Sequence, residues 1–73
     1  MKIERLVAMA NDIGKYFASR SDNEAVIEGI ADHMTKFWDP RMRRQIIAHV
    51  SETGGEGLNA HVADAVRRLA LPP

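Results

Sequence analysis

Asp39-Pro40 cuts the chain near its middle and dictates how the rest is read. A proline lacks the amide proton, and its ring disfavours helical geometry at the preceding residue. No helix therefore runs unbroken through Asp39. The same pair starts a new helix well: the Asp39 carboxylate can cap it, and Pro40 takes the first position, where no amide is needed. On both sides of this cut, apolar residues recur with helical rhythm.

Four helices are predicted. Over residues 3–18, Ile3, Leu6, Val7, Ala10, Ile13 and Phe17 form one stripe, which Met9 and Tyr16 widen on one flank. Glu4, Arg5, Ala8, Asn11, Asp12 and Lys15 fall on the other side. Gly14 costs about 1 kcal/mol against alanine inside a helix, and close approach of a neighbour is its structural use. Ser21 and Glu24 have capping-box spacing for a second helix over about 22–38, whose apolar side is Val26, Ile27, Ile30, Met34, Phe37 and Trp38. The third, about 40–52, carries Met42, Ile46, His49 and Val50 on one stripe, with Ile47 off it. Gly54, Gly55 and Gly57 permit a left-handed reversal after it, and Leu58 can dock that loop on the core. Asn59 is the expected cap of a last helix, about 60–70, with Val62, Ala65, Val66 and Leu69 inward; Pro72-Pro73 closes the chain. Residues 1–73 form one domain, an all-α bundle of three to four short helices.

A domain of 73 residues without cysteine has neither disulfides nor thiolate metal sites to hold it. It needs good helix packing or a partner. Ten basic residues balance ten acidic ones, so the chain has no cationic excess for nucleic acid or an anionic membrane. No apolar run is long enough to span a bilayer, and charges interrupt the first residues, unlike a signal peptide. A cytoplasmic location is the expectation.

Catalytic signals are weak. His33, His49 and His61 lack metal-ligand spacing, so neither a metal site nor a general base is expected of them. Ser19, Ser21 and Ser51 lie in no nucleophile elbow, and the glycine loop is not a phosphate loop. The chain is expected to be no enzyme and to hold no cofactor.

The informative stretch runs from Lys36 to Arg44. Successive helical residues lie about 100° apart, so Phe37 and Trp38 cannot both face one small core. Arg41, Arg43 and Arg44 crowd the first turns of the third helix, where the macrodipole disfavours cations. Aromatic and arginine residues are the types enriched at interface hot spots. The expected partner-binding residues are Phe37, Trp38, Asp39, Pro40, Arg41, Arg43 and Arg44. The simpler alternative makes Trp38 a core residue and the arginines solvated ones. A small helical DNA-binding regulator is a further alternative, disfavoured by zero net charge and few base-reading side chains on 40–52.

The run Lys36-Phe37-Trp38-Asp39-Pro40-Arg41-Met42-Arg43, followed by Ile46, His49 and Gly54-Gly55-x-Gly57-Leu58, resembles the delta subunit of soluble NAD-dependent formate dehydrogenase. Leu6-x-x-Met9-Ala10-Asn11-x-Ile13-Gly14-x-Tyr16-Phe17 and Gly29-Ile30-Ala31-Asp32-His33-Met34 are similar to that family too. The pattern departs at Asn59-Ala60-His61, where the family is expected to start a helix with proline. The resemblance implies an enzyme that oxidises formate and reduces NAD⁺. Its alpha subunit carries a pterin-bound molybdenum or tungsten centre and iron–sulfur clusters, and beta and gamma subunits carry FMN and further clusters. The resemblance implies a non-catalytic accessory subunit that docks on the alpha subunit and stabilises or helps assemble the complex. A transient assembly or cofactor-maturation factor for the same enzyme is the alternative.

Overall fold

A computed structural model describes residues 1–20 and 22–71. Among them every regular element is a helix: α1 (Ile3–Phe17), α2 (Asn23–Phe37), α3 (Pro40–Thr53) and α4 (Ala60–Leu69). The all-α fold and the helix boundaries follow the periodicity closely.

The core is built from residues four apart. Leu6, Ala10 and Gly14 are buried on α1, and Val26, Ile30 and Met34 on α2. Trp38 extends the α2 row past the helix end, and Ile46 and Val50 repeat the spacing on α3. On α4, Val62, Ala63, Ala65 and Val66 are buried. Side chains at i and i+4 stack on one helix face, so each row is a ridge that packs between its neighbours. No polar or charged side chain is buried among the described residues, and no buried side-chain nitrogen or oxygen lacks a partner.

α1 and α4 each pack against the other three helices, and α4 packs most extensively on α2. α2 and α3, though consecutive, hardly touch. Gly14 is where α1 and α4 come closest: a Cβ there would lie 2.6 Å from Val62 Cγ2. The helix-propensity cost of this glycine is offset by that contact.

Several expectations need correction. Ile47 does not stand off the third helix's apolar stripe but packs against the core with Leu58, Met42 and Leu69. Asn59 sits at the α4 cap position without a side-chain cap bond. Ser21 and the terminal prolines lie outside the described residues; the observed cap of α2 is Asp22, whose Oδ1 accepts from Ala25 N at 2.7 Å. Tyr16 does not widen the apolar stripe but is 75% exposed.

Candidate partner-docking surface

The α2–α3 corner assigns different work to each residue of the aromatic–proline–arginine run. Trp38 leaves helical geometry with ψ 137°, while its N–H still donates to Met34 O at 3.0 Å. Asp39 is also extended, and its Oδ1 accepts from Met42 N at 3.0 Å, capping α3. Pro40 occupies the first turn, where its missing N–H costs nothing.

The two adjacent aromatics separate as the 100° rule requires. Trp38 continues the row Val26, Ile30, Met34 and is 5% exposed. Phe37 lies one position off that row and is 73% exposed. Trp38 is therefore a core residue in this structure, and Phe37 is the ring presented outward.

The arginines divide in the same way. Arg43 is half-buried and turns back, donating to Thr35 O at 3.1 Å and to Trp38 O. Thr35 lies in the last turn of α2 and Trp38 is its C-cap, where carbonyls lack intrahelical partners. A guanidinium there satisfies them and favours the negative end of the helix. That contact accounts for one cation in the otherwise unfavourable first turn of α3. Arg41 and Arg44 are exposed, and among the described residues neither is in an ion pair.

A second exposed surface runs along α2. The Phe17 ring covers Gly29, where a Cβ would lie 2.6 Å from its Cδ1. Tyr16 meets Phe17 edge-on with ring centroids 5.0 Å apart. His33 lies 6.3 Å from Phe17 and 4.8 Å from Phe37, and the Arg20 guanidinium stands 5.4 Å from the Phe17 centroid. These rings line an open groove whose rim includes Glu28, Asp32 and Lys36. The last two pair at 3.0 Å. The rule that separates Phe37 from Trp38 also applies to Tyr16 and Phe17, and it is the sequence signal that points to this groove.

The three histidines lie in separate surroundings. His33 is in the groove, His49 Nε2 lies 2.7 Å from Glu56 O, and His61 Nε2 lies 3.1 Å from Asn23 Oδ1. Among the described residues no three His, Asp or Glu side chains converge as metal ligands would. The one resolved carboxylate shift belongs to a structural contact. Arg68 Nη2 donates to Glu24 Oε1 at 2.6 Å and holds that carboxyl below its ordinary pKa, against the opposing effect of desolvation. No helix among the described residues is long and apolar enough to cross a membrane.

The glycine motif also acquires a structural role. Asn11 Nδ2 donates to Gly57 O at 2.9 Å, and Asn11 Oδ1 accepts from Asn59 N at 2.9 Å. Thr53 Oγ1 accepts from Gly55 N and Glu56 N and donates to His49 O at 2.8 Å. Asn11, placed on the outer face by periodicity, is thus a clamp for the α3–α4 loop, and its two-sided amide was the chemical hint.

No curated protein and no solved structure compared with the chain matches it. A family model described as NADH-dependant formate dehydrogenase delta subunit FdsD matches residues 5–66. The matched span takes in the Asn11 clamp, the Gly29 seat, the capped corner and the glycine loop, and the chain belongs to the family of the NADH-dependent formate dehydrogenase delta subunit.

Proposed function

We propose that this delta subunit is a non-catalytic component that docks on the catalytic alpha subunit through the outer face of its α2–α3 corner. Docking there stabilises or assists assembly of the complex. The observation that carries the reading is Phe37, a phenylalanine left 73% exposed at the end of α2, with Pro40, Arg41 and Arg44 exposed at the start of α3. Covering such a ring is worth about 1.5–3 kcal/mol. Exposed guanidinium groups without intramolecular ion pairs suit carboxylates or carbonyls of a neighbour. Trp38, Asp39 and Arg43 contribute from inside: they lock the corner so that the outer side chains keep one orientation.

The effect is mass action. A chain that binds only the assembled enzyme stabilises that state by its binding free energy and takes no part in electron transfer. Without cysteine it offers no thiolate to an iron–sulfur cluster, so its contribution in the complex of alpha, beta and gamma subunits is contact.

The test is purification of the whole enzyme through its alpha subunit, with this chain wild type, deleted or altered. Stoichiometric recovery of wild-type chain, reduced recovery of Phe37→Ala and Arg41→Ala/Arg44→Ala, and faster loss of formate-dependent NAD⁺ reduction on deletion are expected. Full durability without the chain would overturn the stabilising role, and recovery only from immature enzyme would establish a transient factor instead.

A further inference from the structure

The groove along α2 is a different surface from the α2–α3 corner, sharing only Phe37 with it. We infer that it receives an amphipathic helix of another subunit of the formate dehydrogenase, with an apolar stripe about three turns long, an acid opposite Arg20 and a base opposite Glu28. This inference rests on the docking reading above and adds a second contact with its own chemistry.

Length supports a helix. The groove follows α2 from Ala25 to Phe37, twelve helical steps along the axis, or about 18 Å at 1.5 Å per step. Three turns of a partner helix, with anchors at i, i+3 or i+4, and i+7, fit that span. The lining supports apolar anchors. Phe17 forms the floor over Gly29, while Tyr16 and Phe37 stand 75% and 73% exposed. A glycine in mid-helix is unfavourable, and here it seats a ring that remains partly open to water.

Charge supports the flanking residues. The turn after α1 contributes Arg20, held over the Phe17 face, and α2 contributes Glu28 and Asp32. Asp32 is already paired with Lys36. Glu28 forms no ion pair within 4 Å among the described residues, its nearest cationic influence being Arg68, which is itself bonded to Glu24, and Arg20 forms none either. The two unpaired charges have opposite sign and come from different elements. A helix carrying an acid for Arg20 and a base for Glu28 matches this pair in one orientation, and complementary charge of this kind fixes register.

A photo-crosslinking amino acid, p-benzoylphenylalanine, placed at Tyr16 or Phe37 in the intact enzyme tests this, with Glu52 on α3 as the position outside the groove. Crosslinks from Tyr16 and Phe37 to one helical segment of another subunit, absent from Glu52, are expected. Tyr16→Ala and Arg20→Glu should each lower affinity for the enzyme by about tenfold while the isolated chain keeps its helical circular dichroism. Stoichiometric recovery with no Tyr16 crosslink would overturn the groove inference and leave the corner reading standing. Crosslinking to a second copy of this chain, or to a non-helical segment, would also overturn it. Failure of the wild-type chain to accompany the enzyme would remove both.

Discussion

In the Thr53–Asn59 loop, side chains from three helices are spent on backbone groups of the same chain. Asn11 from α1 and His49 and Thr53 from α3 hold it, and Arg67 from α4 adds a contact to Gly54 O at 3.3 Å. In the groove along α2, Tyr16 meets Phe17, and His33 meets both Phe17 and Phe37, but Tyr16 and Phe37 leave large areas in water. Both regions belong to the matched family pattern. The loop's residues are consumed in making the fold. The groove's residues are held in place by the fold and retain unspent surface, which is what a docking site requires.

The sharpest way to test this contrast is at two neighbours in sequence. Trp38→Ala should lower the free energy of unfolding by about 3–5 kcal/mol, the cost of a buried aromatic truncated in a packed core. Phe37→Ala should change it by no more than about 0.5 kcal/mol, because its ring is largely solvated. Urea titration of the isolated chain reads both. A large loss for Phe37→Ala would show that the outer ring is structural and would dissolve the comparison.

Within the loop, Gly57→Ala is expected to cost about 1–2 kcal/mol, since left-handed backbone penalises a Cβ by that amount. Gly57 has φ 84°, and a Cβ would meet Val7 Cγ1 at 3.2 Å. The thermal midpoint should fall, whereas Tyr16→Ala should leave it unchanged. Asn11→Ala removes both clamp bonds and should cost about 1 kcal/mol, with accelerated amide exchange at Asn59 as its local signature.

The smallest effect is electrostatic. Glu24 titrates below its ordinary value because Arg68 bonds to it, so it binds a proton less readily folded than unfolded. Its stabilisation is present above the unfolded carboxylate pKa and disappears as pH falls through the lowered folded one. Glu24→Gln should remove that part of the acid-side pH dependence and leave stability at higher pH little changed, since both side chains are exposed. Denaturation curves across the acid range measure it.

Much of the architecture was legible because helical rhythm and punctuation are local. Asp39-Pro40 marked the corner, the glycines marked the reversal, and Gly14 marked a close helix approach. Local information did not decide Trp38 against Phe37 as the buried ring. Both lie on the apolar side of one helix, and only the positions of α1, α3 and α4 determine which one finds cover. For the same reason periodicity alone misplaces Tyr16, which stands in solvent, and Ile47, which packs against the core.

Four helices, their breaks and the family likeness are written in local sequence, because periodicity, capping chemistry and motif spacing act over a few residues. Tertiary structure alone decided which charges and rings are spent. It turned Arg43 onto the α2 carbonyls and Asn11 onto a loop 46 residues away, and it left Phe37 and Tyr16 outside. Burial and hydrogen bonding between distant segments depend on how the helices pack together, and no local pattern encodes that arrangement.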